Sequence, residues 1–214
     1  MNKQATFGVI GLGIAIASGN AMGAIRITEW MYNGAGGTAR EFVEITNLGA
    51  SAVDMTGWSF DDNTRTAGSF LLNDIGMLNA GESAIITEQA AAAFRSAWGL
   101  GASIKVAGGN TNNLGRADEI NIYDNLSNLI DRLTYDDQTI GGPRTQGFSG
   151  NIAFANLGAN AANLAVISSV GDAYGSVLSG SGDVGNPGTY AVPAPGVLAL
   201  AAMGGAVASR RRRA

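Results

Sequence analysis

The chain has no cysteine and no histidine, and only four of its 214 residues are proline. Without cysteine there is no disulfide to constrain the unfolded state, so any fold must rest on its buried core. The length suffices, because a domain of this size buries roughly 70% of its unfolded surface. The joint absence of histidine and cysteine excludes the common zinc centres, Cys-His nucleophiles and Ser-His-Asp triads. Aromatic residues make up 7% of the chain, which leaves few rings for a sugar-stacking platform. Lysine is also scarce: between the two ends discussed next, Lys105 is the only one.

The two ends read as addresses. At the front, Lys3 gives a weakly basic start, residues 7–17 form an apolar run, and Ala21-Met22-Gly23 is a small-x-small site before Ala24. That order predicts a secretory signal peptide over residues 1–23, cleaved before Ala24. At the back, Val192, Pro193, Ala194, Pro195 and Gly196 precede an uncharged run over residues 197–209, and then Arg210, Arg211, Arg212 and Arg213. A membrane-spanning helix needs about 20 apolar residues, which the run approaches when Val192 to Gly196 are counted. The arginines would fix its orientation from the cytoplasmic side. A buried C-terminal helix of a soluble domain would not end in an unrelieved arginine block.

The tail resembles the PEP-CTERM sorting signal of Gram-negative bacteria, with Pro-Ala-Pro where the name-giving motif has Pro-Glu-Pro. The resemblance implies sorting over residues 192–214 by an exosortase-like membrane enzyme after export through the secretion translocon. It also implies a place in the cell envelope, outer surface or extracellular matrix, with a transient or retained C-terminal membrane anchor.

Removing both ends changes the charge. The 13 basic residues less Lys3 and the four terminal arginines leave eight against 17 acidic ones, a net charge of −9. Such a domain repels nucleic acid and anionic membrane surfaces at long range, so neither is an expected partner.

Between the ends the dominant period is two. Ile25-Arg26-Ile27-Thr28-Glu29, Phe42-Val43-Glu44-Ile45-Thr46, Glu119-Ile120-Asn121-Ile122-Tyr123 and Ile130-Asp131-Arg132-Leu133-Thr134-Tyr135 all alternate. Ser83-Ala84-Ile85-Ile86-Thr87 is an apolar run of strand length. Turn chemistry bounds each of them, as in Asn33-Gly34, Asn79-Ala80-Gly81 and Asp124-Asn125. Short half-buried strands with frequent turns predict an all-β sandwich or barrel. One helix is expected over residues 88–99, with Phe94 and Trp98 four apart on one face.

These segments together resemble the lamin tail domain. The resemblance is carried by Ile25-Arg26-Ile27-Thr28-Glu29-Trp30, by Glu41-Phe42-Val43-Glu44-Ile45-Thr46-Asn47 and by Val53-Asp54-Met55-Thr56-Gly57-Trp58-Ser59-Phe60. Leu78-Asn79-Ala80-Gly81-Glu82, the Glu119 strand and the Ile130 strand follow in order. It implies an immunoglobulin-like β-sandwich over residues 24–138. Residues 139–190 are an extension of that domain or a linker, because their Gly, Ser, Asp and Asn favour irregular turns. Val43 and Ile45 should face the core, with Phe42 and Glu44 on the other side. Trp58 is the expected large core anchor, and Asp131 is expected to hydrogen-bond turn amides.

The densest acidic groups are Asp61-Asp62-Asn63 and Asp136-Asp137. Two acidic loops at one end of a sandwich make Asp61, Asp62, Asp136 and Asp137 weak calcium candidates; no other cofactor is expected. The expected function is a non-catalytic, exported structural or adhesive module. A calcium-dependent module for polysaccharide or an envelope protein is the alternative. A hydrolase working with paired carboxylates stands behind both.

Overall fold

The strand Phe42–Asn47 shows how alternation builds this molecule. Val43 and Ile45 point to one side and pack in the main core with Ile27, Phe60, Ile120, Ile122 and Leu133. Phe42 points to the other side, where it meets Phe94 and Trp98 in a second apolar cluster. Glu44 shares that outer side with Phe42 and is equally inaccessible, at 0% exposure. The outer face of the strand is therefore as dry as the inner one.

The computed structural model describes residues 25–36 and 40–191. The expected signal-cleavage residues Ala21, Gly23 and Ala24 lie outside these, as do the motif Val192 to Gly196 and the arginines Arg210 to Arg213. The strands, in chain order, are β1 (Ile25–Met31), β2 (Phe42–Asn47), β3 (Val53–Asp54), β4 (Ser59–Asp61), β5 (Phe70–Leu71), β6 (Met77–Leu78) and β7 (Ser83–Thr87). After the helix α1 (Ala91–Trp98) come β8 (Lys105–Gly108), β9 (Ala117–Tyr123), β10 (Leu129–Asp136), β11 (Gly150–Asn151), β12 (Val166–Ile167), β13 (Val177–Leu178) and β14 (Val184–Gly185).

Six strands form one sheet in the order β12-β11-β1-β2-β7-β8, and four form a second in the order β10-β9-β4-β5. Their inner faces share the main core, so the architecture is a β-sandwich, consistent with the immunoglobulin-like fold. One pairing departs from antiparallel: β7 and β8 run parallel, and α1 is the crossover between them. The helix is shorter than the expected 88–99 and ends at Gly99, whose φ of 64° is left-handed. Its apolar side lies on the outer face of the six-stranded sheet, with Phe94 and Phe42 edge-to-face at 5.5 Å.

Strand β1 carries a bulge. Ile27 opposes Ile45 and Glu29 opposes Glu44, so Thr28 is the extra residue. Ile27 N donates to Asp131 Oδ2 at 2.9 Å, and Arg26 Nη1 donates to the Ile130 carbonyl at 3.0 Å. Asp131 therefore ties the two sheets together at the bulge, a longer-range role than the local turn contact expected from sequence. The tryptophans also differ from expectation. Trp30 is the fully buried one and Trp58 is half-buried. Trp58 follows a turn whose Gly57 amide is held by Asn73 Oδ1, and it packs against the rim of the core.

Residues 139–190 lie against the sandwich. Strand β11 pairs with β1, and β12 with β11. Tyr190 Oη donates to the Ile152 carbonyl at 2.8 Å. Asp172 holds its own loop by accepting from the amides of Ser169, Tyr174 and Ser176.

Phe94 makes the helix depend on the sheet, because it is 0% exposed between Phe42 and Trp98. Phe94→Ala is expected to lower the unfolding free energy by about 3–5 kcal/mol, read from the urea midpoint. A loss below about 1 kcal/mol would show that α1 does not depend on this contact.

Candidate functional site

One end of the sandwich gathers the loops singled out by their acidity. β4 ends at Asp61, opposite Asn121 of β9, and β10 ends at Asp136, opposite Ala117 at the start of β9. Both acidic loops thus leave the same end of the four-stranded sheet, with β9 between them.

Each of these aspartates already accepts a hydrogen bond or ion pair. Asp61 is buried, and its Oδ2 accepts from Thr64 Oγ1 and from the Thr66 amide, while Oδ1 accepts from Asn112 Nδ2. Asp62 Oδ1 accepts from the Thr64 amide. Asp136 accepts from the Gln138 amide and from the Thr139 hydroxyl. Asp137 is held by both arms of Arg116, at 2.5 and 2.8 Å. These are the Asx-turn and ion-pair bonds that close a tight loop. The two acidic pairs are not drawn into one centre, and among the described residues no three acidic, His or Cys side chains are arranged to hold a metal ion.

Glu119, whose sequence position marked it only as a strand residue, organises the space between the loops. Arg65 grips it bidentately at 2.8 and 2.7 Å, Thr134 Oγ1 donates to it at 3.1 Å, and Arg132 stands 3.6 Å away. The Arg65 hydrogen bonds hold the Glu119 carboxyl down to about 2, outweighing the cost of its partial burial. Its neighbour Asp118 is pushed the other way by burial, although it accepts the amides of Gly115, Asn63 and Glu119. Arg65, Glu119, Thr134 and Asp136 line an open hollow of about 380 Å³.

A second hollow of about 380 Å³ is lined by Tyr32, Asn113, Leu114, Arg116, Arg144 and Gln146 among others. Arg144 donates to Tyr32 Oη and Gln146 Oε1. Six of the eight cations among the described residues reach a carboxylate within 4 Å, and Arg144 is not one of them. Behind this hollow, Glu41 Oε2 accepts the Leu114 amide at 2.9 Å. Burial, with Glu88 nearby, pushes the Glu41 carboxyl up to about 9. At neutral pH Glu41 is an uncharged anchor for the loop ahead of β9.

A sandwich with this strand order and a loop end closed by internal ion pairs defines a β-sandwich module, consistent with the immunoglobulin-like kind. The family model of the Lamin Tail Domain matches residues 18–137, more than half of the chain. The chain belongs to the lamin tail domain family. No curated protein and no solved structure matches it. The family module and the architecture are consistent with a structural or binding role.

The Arg65–Glu119 pair has a pH signature. A carboxyl lowered in the folded state stabilises above its unfolded value of about 4.5, and that contribution is lost as pH falls toward about 2. Carbon-13 NMR of the Glu119 carboxyl is expected to show a midpoint near 2 in the native chain. Arg65→Gln should raise that midpoint. An unchanged midpoint would mean that Arg65 is not its cause.

Proposed function

We propose that this protein is an exported, non-catalytic module of the cell envelope or extracellular matrix, sorted by an exosortase-like enzyme. It makes structural or adhesive contacts with extracellular polysaccharide or envelope proteins through the loop end of the sandwich. The observation that carries the binding role is the state of the carboxylates there. Asp61, Asp62, Asp118, Glu119, Asp136 and Asp137 accept bonds from loop amides, hydroxyls or arginines. Groups held this way shape two hollows but are not poised as an acid and a base across a substrate. Arg144 lines one hollow and reaches no carboxylate within 4 Å among the described residues, whereas Arg95, the other such cation, is turned to the Ile104 carbonyl; Arg144 is the cation this end offers to a ligand. Removing a charged hydrogen-bond donor of this kind costs about 1.5–3 kcal/mol, or roughly ten- to a hundredfold in affinity.

Export and sorting are supported by the order of features at the two ends of the chain and by the charge left between them. The signal peptide, residues 1–23, would be removed before Ala24. The exosortase-like enzyme would act at Val192 to Gly196, leaving the apolar run and Arg210 to Arg213 behind. The delivered domain then carries its net charge of −9 into the medium, where that charge favours solubility.

Mass spectrometry of the native protein from envelope and culture-medium fractions tests this reading. The expected mature form begins at Ala24 and ends between Val192 and Gly196. A form that still carries Arg210 to Arg213 would contradict sorting.

A further inference from the structure

Glu29 and Glu44 are both 0% exposed and stand directly opposite each other on β1 and β2. No ion pair among the described residues includes either of them. The charged or titratable groups that reach them are each other, Asp172 from the loop after β12, and Tyr190 beside Glu44. Trp98 of α1 and Gly185 of β14 close over the row. A Cβ on Gly185 would lie 2.8 Å from Glu29 Oε1, 2.8 Å from Ser149 Oγ and 3.2 Å from the Trp98 ring. Such tight packing leaves a proton, and not a cation, to remove charge. Two adjacent uncompensated carboxylates in a dry interior cannot both stay ionised.

Burial pushes both carboxyls up, Glu44 to about 7 and Glu29 well above its ordinary value, and the hydrogen bonds say which gives up its proton first. Glu44 accepts on both oxygens, from Thr28 Oγ1 at 2.7 Å and from the Gly188 amide at 2.7 Å. Glu29 accepts only on Oε1, from Ser149 Oγ and from the Asn186 amide at 2.9 Å. Its Oε2 is buried without a partner among the described residues. On the other side of Glu29, its register partner on β11 is Asn151. Asn151 Nδ2 donates to Ser168 Oγ and Asn186 Oδ1, and its Oδ1 is also buried without a partner. Two orphaned acceptors on neighbouring side chains are both satisfied if one of them carries a hydrogen.

We infer that Glu29 is a neutral carboxylic acid donating from Oε2 to Asn151 Oδ1, that Glu44 is the carboxylate, and that this single proton latches residues 185–190 onto the sandwich. The amides of Asn186 and Gly188 land on the two carboxyl groups, so the latch and the proton are one device. A carboxyl raised in the folded state gives stability that is complete below its unfolded value of 4.5 and is lost as pH rises through the folded value. The segment is therefore held while Glu29 keeps its proton and loosened as pH rises through the ionisation of Glu29. Any effect on processing at Val192 to Gly196 rests on the sorting reading above; the proton assignment does not.

The test uses the full chain labelled with carbon-13 at glutamate carboxyl groups. Glu29 should give a neutral-acid signal at pH 7 and ionise only after Glu44 has. Cleavage within residues 185–190 by a fixed protease should rise by up to about tenfold per pH unit above that point. Glu29→Gln, whose amide can donate to Asn151, should keep the segment protected and remove the rise in cleavage that follows Glu29 ionisation, leaving only the titration of Glu44. An ionised Glu29 signal at pH 5 to 7 would overturn the assignment, as would cleavage of Glu29→Gln that rises with pH as in the native chain. If the variant does not fold, the carboxyl signal of the native chain decides alone.

Discussion

The bulge at Thr28 is the constraint on which the rest of the molecule depends. Side chains along a strand alternate, so one extra residue reverses the faces of everything beyond it. Ile27 and Trp30 both face the core because Thr28 and Glu29 both face out. In a straight strand Thr28 would oppose Glu44, and Glu29 would point into the apolar interior. The bulge also leaves the Ile27 amide to Asp131 of the opposite sheet. One irregularity thus sets the register of β1, joins the two sheets and creates the buried pair of glutamates.

The outer face of the six-stranded sheet is divided by what covers it. Phe42 and Ile85 lie beneath α1 and its aromatic residues. Glu44, Thr46 and Ser83 lie farther along, where Thr46 Oγ1 and Ser83 Oγ bond at 2.8 Å and the covering chain is residues 185–189. Apolar surface is matched by apolar surface, and polar side chains are matched by backbone amides of a segment too rich in glycine to form a helix. The buried polar half specifies which segment may dock. The opposite constraint rules the loop end, where carboxylates close their own loops and leave hollows open to solvent.

Much of this was legible in the sequence, for a physical reason. β1, β2, β9 and β10 alternate over five or more residues, which is the signal that a half-buried strand must carry. Phe94 and Trp98 at helical spacing mark α1. Phe42 and Glu44 were readable as facing away from the core, but nothing local says that this second face is covered. The covering chain, residues 185–189, is recognised by single hydrogen bonds to residues more than 140 positions away, and no periodicity records such pairing. Trp58 misled because size marks an anchor, whereas position beside a turn decided its exposure. The two acidic runs stand out in the sequence, and β4 and β10 carry them to the same end of the sheet. Whether their oxygens were free depended on Arg65, Arg116 and amides that only the fold brings near.

The central claim is that the glycine-rich C-terminal segment is an integral part of the sandwich, held through Glu29 and Glu44. Amide hydrogen exchange of the full chain at pH 6 tests it most directly, read at Asn186 and Gly188 against Ile45 in the core strand. The account predicts that both amides are protected and open together with the outer face of the sheet. Exchange of Asn186 and Gly188 at the rate of an unstructured peptide, with Ile45 still protected, would contradict it.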